Sequence, residues 1–523
     1  MRIIFVNIEN GITAIGFRKV AAFARLVHPQ TEVCYVAPSN RYSPINFIRS
    51  DKTNYDLSDQ DLDKVACYLA KANMVCFSSM TPFAYLTEKI IVKIRSRNPN
   101  VYIVWGGIHP IVNPDKAILY ANAICIGEGE LAFSEFLSAY KKGGDDYLKT
   151  RNFWFNTNNS LIKNEFRPLL TPKEMETLPH NLYAQNELIF VEGQGFMPID
   201  QSVYIRFIGL AYHTIWSVGC PFRCVYCSNS KFIENDKTYS KLRFPSVDYI
   251  INEIKHAIKK QPYISVVIFH DDSFIAIDLK TLTEFSDKWR KEIKIPFCVQ
   301  GLNPNLVRHD KMDLLVRGGM NRVRMGIQSG SDRILNFYRR PHNNEITLKS
   351  ASIINAFSKR MILPAYDFIL DNPVETKDDI EKTLRLLQKL PRPYTINGFS
   401  LRVIPNTELA VKLSSLGVVA KDIKDDYTET KPTIANILVF AIPIVRLPDK
   451  IFNYFLKKVK PSCEEQKCYK NLMIIIKAIL YLKRGIIHLK HMDFSVMPGK
   501  PSWIFWRLGV IRLHHALAEK NKK

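Results

Sequence analysis

The sequence predicts an α/β protein with three parts: a doubly wound, Rossmann-like parallel sheet, a partial (β/α)6, TIM-like barrel, and a mostly helical C-terminal region. Three observations carry this reading. Short β-rich apolar runs alternate with helical patterns over 1–140, the alternation returns with a new set of runs over 205–405, and from 406 to 523 it stops. At 523 residues the chain is long enough for roughly three separate cores. With 46% hydrophobic and 24% charged residues it is not a disordered, collagen-like or disulfide-stapled chain.

In the first unit the runs lie at 3–6, 32–36, 74–77, 101–105 and 123–126. Ser79 and Thr81 follow the third run, Gly106 and Gly107 the fourth, and Gly127 and Glu128 the fifth. Open sheets of this kind bind ligands at that carboxyl edge, although glycines there also serve simply to let the chain turn. Residues 141–204 lose the regularity and read as a connector.

In the second unit an apolar segment at 214–218 precedes runs at 264–269, 295–299, 322–327, 365–370 and 398–404. The clearest helix is 247–260, whose Val247, Ile250, Ile251, Ile254, Ala257 and Ile258 recur at helical spacing behind a Ser246 cap. Repeated strand–helix units build a barrel that works at the carboxyl ends of its strands.

The chain carries 73 Lys and Arg against 50 Asp and Glu, a net +23. From 430 onward there are 18 basic and 5 acidic residues, so more than half of the excess belongs to the tail. Such a charge points to an anionic partner. Two readings of the tail follow: a helical cap on the barrel with lysines solvating its outer face, or surface attachment. Segments 450–460 and 471–491 mix Lys and Arg with bulky apolar residues as interfacial helices do, with Trp503, Phe505 and Trp506 as anchors. No recognisable nucleic-acid module accompanies the charge, so nucleic acid is not the expected partner. Asn7, Glu9 and Asn10 interrupt the N-terminal apolar stretch before it can act as a signal-peptide core, and no apolar run reaches eighteen residues. The expected location is the cytoplasm, peripheral to the inner face of a membrane if the tail attaches to one.

The chemistry is concentrated at 217–230, SVGCPFRCVYCSNS, where Cys220, Cys224 and Cys227 fall at C-x3-C-x2-C near the carboxyl end of the first barrel strand. Three thiolates on one short loop suit one iron-sulfur cluster. A four-iron cubane so held keeps one iron open to substrate or cofactor. Zinc would want four ligands, usually two C-x2-C pairs, whereas Cys34, Cys67, Cys76, Cys125 and Cys298 lie in apolar runs as core thiols.

This motif, with Tyr226 before its last cysteine, resembles that of the radical S-adenosylmethionine (radical SAM) enzymes, and more narrowly their cobalamin-binding-domain branch. The resemblance implies that Cys220, Cys224 and Cys227 hold a [4Fe-4S] cluster whose open iron is chelated by S-adenosylmethionine. Reductive cleavage of that molecule then yields methionine and a 5'-deoxyadenosyl radical. FHDDSF, GIQSGSDRILNFYRR, YDFILDNPVET and LRVIPNTEL look like successive strand ends of the radical SAM barrel. They make Asp271, Asp272, Gln328 and Ser329 the candidate S-adenosylmethionine contacts, with Asp371 at a further strand end. The alternative is that Asp272, Ser273, Ser331 or Asp332 merely cap the following helices. Gln328 stands where the family commonly has glutamate, and Asp371 and Asn406 where it commonly has glycine.

VCFSSMTPFAY, VWGGIHPIVNP and ICIGEGELAFSEFL resemble the cobalamin-cradling loops of the same branch, implying Ser79, Thr81, Gly106, Gly107, Gly127 and Glu128 as cobalamin contacts. The D-x-H-x-x-G element that supplies a cobalt ligand in many cobalamin proteins is absent, and His109 does not match it. The implied activity is cobalamin-dependent C-methylation of an unactivated carbon in a small-molecule or lipid substrate. A low-potential donor such as flavodoxin or ferredoxin would supply electrons. Members with the same two domains instead perform cyclisation or rearrangement. Nucleic acid modification would call for a second cluster from N-terminal cysteines, and a non-catalytic cobalamin or iron-sulfur sensor would show a lost cysteine or collapsed strand-end polarity.

Overall fold

The computed structural model describes residues 1–37, 57–157, 160–183, 186–418, 430–461, 469–495, 500–511 and 513. The first unit is built on β1 (Ile3–Ile8), β2 (Glu32–Val36), β3 (Met74–Ser79), β4 (Tyr102–Gly106) and β5 (Ala123–Cys125), all parallel. β1, IIFVNI, is buried at all six positions, as a central parallel strand covered by helices on both faces must be. β1 lies between β2 and β3, so the strand order reverses there and opens a crevice at the carboxyl ends of β1 and β3.

The stretch read as a connector is folded into this sheet. β6 (Phe153–Asn156) and β7 (Leu161–Lys163) extend the β5 edge, while β8 (Glu187–Val191) and β9 (Gly195–Pro198) extend the β2 edge, giving nine strands in the order β7-β6-β5-β4-β3-β1-β2-β8-β9. These added strands have only three to five residues each, too short for a clear periodic signal. Phe153 and Phe155 of β6 and Ile189 and Phe190 of β8 are buried, Phe153 stacking on Phe136 with ring centroids 5.0 Å apart.

The second unit is a six-stranded parallel sheet in chain order: β10 (Ala211–Thr214), β11 (Val266–Phe269), β12 (Phe297–Leu302), β13 (Met320–Gln328), β14 (Ala365–Leu370) and β15 (Thr395–Ser400). β10 and β15 do not pair, so the barrel is open, as the (β/α)6 reading expects. β10 ends where the expected strand 214–218 begins. Residues 216–218 instead bond to Asp271 and Arg243 as the start of the cysteine loop. Along β13, Val323, Met325 and Ile327 join the core under the helices, which turns Arg324, Gly326 and Gln328 to the lumen.

The helix Val247–Lys260 buries Val247, Ile250, Ile251, Ile254 and Ala257, and Ser246 Oγ caps it from 3.2 Å, a contribution of about 1 kcal/mol. Its buried Glu253 accepts from Tyr212 and Thr214 of β10. Arg18 joins the two units. It donates to the carbonyls of Asn181 and His213, both at 3.1 Å, and lies 3.9 Å from the Tyr183 ring centroid.

The tail is a helical cap, yet several of its basic side chains point inward. In the helix Lys470–Lys490, Lys477 is buried against Thr430 and the Phe440 ring, and Arg484 donates to Asn397 of β15. The following Asp493 lies 3.5 Å from Arg322 of β13. Burial alone would raise the Asp493 pKa, but Arg322 and His488 hold it well below the usual carboxylate range. Trp503, Phe505 and Trp506 are not free anchors: they pack on the core of the first unit, Phe505 stacks on Phe494, and Trp506 Nε1 donates to the Pro262 carbonyl.

Candidate functional site

The cysteine loop leaves β10 and is held from behind by buried polar groups. Asp271, at the end of β11, accepts from Trp216 N at 3.1 Å and from Ser217 N and Oγ, both at 2.6 Å. Burial pushes its pKa up to about 6 against those hydrogen bonds. Gly219 has φ +101°, and a Cβ there would meet the Lys241 carbonyl and lie 2.8 Å from that of Tyr239. Only glycine allows the chain to turn into Cys220 at this point.

Cys220, Cys224 and Cys227 line one cavity of about 310 Å³ at the carboxyl ends of the strands, together with Asp272, Gln300, Arg324, Gln328, Arg340 and Asp367. Burial raises the thiols of Cys220 to about 11 and Cys227 to about 12. Arg340 Nη1 stands 3.5 Å from Cys224 Sγ while Nη2 donates to the Gly326 carbonyl at 2.5 Å. A Cβ on Gly326 would lie 2.6 Å from Gln328 Nε2 and 3.4 Å from Arg340 Nη2, so this glycine makes room for both side chains. Among the described residues no three Cys, His, Asp or Glu side chains meet closely enough to chelate a single ion. Three thiols sharing a cavity wall beside a buried guanidinium fit a multi-iron cluster, whose ligands reach different irons and whose charge is anionic.

Of the other barrel candidates, Asp272 and Gln328 face this cavity. Asp272 accepts from the Tyr239 hydroxyl at 3.4 Å and is raised in pKa by burial. Asp271 also borders the cavity, with its oxygens committed to the cysteine loop. Ser329 is turned away: it is buried, 3.2 Å from Thr383 Oγ1, and accepts from Ser331 N. Ser331 caps the next helix, as the simpler reading of that segment had it. Asp371 accepts from Lys431 N and Asn436 Nδ2. Gln328, Asp371 and Asn406, the three departures from the family pattern, all have positive φ, at +73°, +58° and +58°. The two glycine replacements are thus side chains that tolerate the left-handed conformation.

A second cavity of about 290 Å³ lies between the carboxyl edge of the first unit and the top of the barrel. Met80, Thr81, Pro82 and Ile108 form one side, Ile369, Phe399, Leu401, Arg402 and Ile404 the other, and Tyr226, Arg324, Gln328 and Asp367 are shared with the cysteine cavity. In that shared wall Arg324 Nε donates to Asp367 at 2.6 Å and the guanidinium sits 5.0 Å from the Phe399 ring centroid. The sequence did not single out Arg324, Asp367, Phe399 or Arg340. The first three occupy lumen positions that strand alternation along β13, β14 and β15 marks.

At the first unit's edge, Thr81 Oγ1 and both ring nitrogens of His109 are buried without partners. His109 stacks on Trp105 at 5.2 Å, and burial lowers its pKa to about 4. Ser79 accepts from Trp105 Nε1 at 3.0 Å. Gly107 has φ +92°, and a Cβ there would lie 2.8 Å from the Ser79 backbone N and O, whereas an added Cβ at Gly106 would find ordinary contacts. Gly127 makes room for Asn152. Glu128 is engaged across the interface, ion-paired with Arg243 at 2.6 Å and accepting from Leu170 N. Neutral orphaned donors and acceptors at a switch-point crevice fit a large amide-bearing cofactor such as cobalamin.

Fold and site together define a radical SAM barrel placed against a B12-binding sheet. The radical SAM superfamily model matches residues 214–387 and the B12 binding domain model residues 1–137. The chain belongs to the cobalamin-binding-domain branch of the radical SAM family, and with it goes the cofactor set of [4Fe-4S] cluster, S-adenosylmethionine and cobalamin. It is 27% identical over 317 residues to an uncharacterized methyltransferase of Pyrococcus horikoshii, covering 60% of this chain and 62% of the relative. It is 22% identical over 373 residues to the anaerobic magnesium-protoporphyrin IX monomethyl ester cyclase of Rubrivivax gelatinosus, covering 68% and 61%. The chain thus spans about three fifths of the length of each. Among solved structures, the radical SAM methyltransferase TsrM of Kitasatospora setae superposes with a TM-score of 0.60 at 16% identity, covering 80% of this chain and 78% of that one, a likeness of fold.

Proposed function

We propose that the protein is a radical SAM enzyme that uses cobalamin to methylate an unactivated carbon. The observation that carries this reading is the wall of Tyr226, Arg324, Gln328 and Asp367 common to the cysteine cavity and the cavity beneath the B12-binding edge. When bound, the cluster supplies the electron that cleaves S-adenosylmethionine to a carbon radical, and cobalamin supplies the methyl group. Cys220, Cys224 and Cys227 hold the cluster, and Arg340 fixes Cys224 and offsets negative charge beside it. Asp272 and Gln328 present an acceptor and an amide to the ammonium and ribose of S-adenosylmethionine. Thr81 and His109 offer hydrogen bonds to corrin amides. The apolar side chains Ile369, Phe399 and Leu401 keep water from a radical formed between the two cofactor sites.

Cyclisation or rearrangement is the second reading, favoured by the likeness to the Rubrivivax cyclase. The two differ in stoichiometry. Methylation consumes one S-adenosylmethionine as radical source and another to restore the methyl group, so 5'-deoxyadenosine and S-adenosylhomocysteine accumulate together. Anaerobic turnover of the reconstituted protein with cobalamin, reductant, S-adenosylmethionine and a methyl-accepting substrate should yield both products. 5'-deoxyadenosine without S-adenosylhomocysteine would assign the second reading. Electrons come from a low-potential donor such as a flavodoxin or ferredoxin. The substrate is a small molecule or lipid, met where the basic C-terminal region contacts the inner face of a membrane.

A further inference from the structure

The helix Lys470–Lys490 uses one side for its own fold and leaves an equally apolar side in solvent. Met473, Lys477, Leu480 and His488 are buried against the barrel. On the outer side Leu472, Ile475, Ile479, Leu482, Ile486 and Leu489 are each between 37% and 66% exposed. Their spacings alternate three and four, which places all six on one stripe along a helix about 31 Å long. A scattered exposed leucine is ordinary, but a continuous stripe of six marks a contact surface.

Charge selects among the occupants. The helix contains no Asp or Glu; its charged groups are Lys470, Lys477, Lys483, Arg484 and Lys490, and exposed Lys470 and Lys490 stand at its two ends. The preceding helix, Asp449–Lys458, exposes Ile451, Tyr454, Lys457 and Lys458, with Lys458 4.3 Å from the Tyr454 ring centroid. A second copy of the chain would bring the same sign of charge to the stripe. The stripe residues themselves offer no side-chain hydrogen-bonding group with which a protein partner could fix its register. A layer of anionic headgroups over acyl chains meets both properties, neutralising lysines at the rim and covering branched aliphatic side chains between them.

We propose that the outer face of Lys470–Lys490 is the surface on which the protein lies on an anionic bilayer. This rests on the membrane reading of the tail given above and assigns it to one helix face, in place of the C-terminal aromatic residues, which are packed on the first unit. Among the described residues no helix is long and apolar enough to cross a membrane, so the contact is one of lying on the surface.

The test is flotation of the full-length reconstituted protein with vesicles of phosphatidylcholine alone and of equal phosphatidylglycerol and phosphatidylcholine. The wild type should float with the anionic vesicles and remain below with the neutral ones. Leu482→Gln with Ile486→Gln should cut binding about tenfold or more, because two aliphatic side chains that lipid would cover become polar, and should leave the melting temperature and iron content unchanged. A second pair, Ile475→Gln with Ile479→Gln, should act alike and guards against misfolding of the first. Anionic-vesicle binding retained by both variants would overturn the assignment to this face while leaving the membrane reading intact. Absence of wild-type binding would overturn both. A wild-type dimer that both variants split would give the stripe to a second copy.

Discussion

Arg340 Nη1 lies 3.5 Å from Sγ of Cys224, while its Nη2 is fixed by the Gly326 carbonyl. A buried positive charge beside a cluster ligand stabilises the more negative, reduced state of the cluster. Arg340→Met should therefore bind iron and shift the cluster potential downward. The loss of one charge-assisted hydrogen bond is about 1.5–3 kcal/mol, a shift on the order of 60–120 mV for one electron. Redox titration followed by electron paramagnetic resonance measures it, and an unchanged potential would remove Arg340 from this role.

Gly219 turns the chain into Cys220 where a Cβ would collide with the carbonyls of Lys241 and Tyr239. Gly219→Ala should displace the cysteine loop and lower iron incorporation severalfold, with secondary structure by circular dichroism retained. Wild-type iron content in this variant would show that the loop position is not critical.

Glu128 of the first unit and Arg243 of the second pair at 2.6 Å, both largely buried. Arg243→Met leaves the carboxylate without its partner at the junction and should cost about 3–5 kcal/mol of interface stability, whereas the double variant with Glu128→Gln should recover part of it. Limited proteolysis between the units together with thermal melting checks this. A double variant as labile as the single one would count against the pairing.

Burial, with the Asp379 and Asp371 carboxylates adding to it, holds the Glu375 pKa up to about 8. The unfolded side chain titrates near about 4.3, so between the two values the folded state keeps a proton that the unfolded state has lost. Wild-type stability therefore falls as pH rises through this window and levels off above about 8. Glu375→Gln should melt close to the wild type at pH 4.5 and several degrees above it at pH 8.5, read by calorimetry. Parallel melting curves at both pH values would contradict the shift.

That the three cysteines meet at one cavity was legible because the information is local: three cysteines within eight residues, after a glycine whose φ of +101° no other residue adopts easily. The barrel and the doubly wound sheet were legible because parallel strands buried on both faces leave continuous apolar runs. Arg340, Arg324 and Asp367 were not, since each becomes part of the site only when strands and loops distant in sequence meet at the barrel top. Glu128 shows the opposite limit. A strand-end carboxylate looks the same in sequence whether it faces a cofactor or, as here, a guanidinium across an interface 115 residues away. The tail's basic composition likewise did not tell Lys477 and Arg484, which point into the fold, from the lysines that rim its exposed face.

The central claim is that Cys220, Cys224 and Cys227 carry a cluster that cleaves S-adenosylmethionine. Anaerobically reconstituted protein, given reductant and S-adenosylmethionine, should release 5'-deoxyadenosine, and Cys224→Ala should release none. A wild-type protein that shows a full cubane spectrum yet forms no 5'-deoxyadenosine, or a Cys224→Ala variant that forms it at the wild-type rate, would contradict the account.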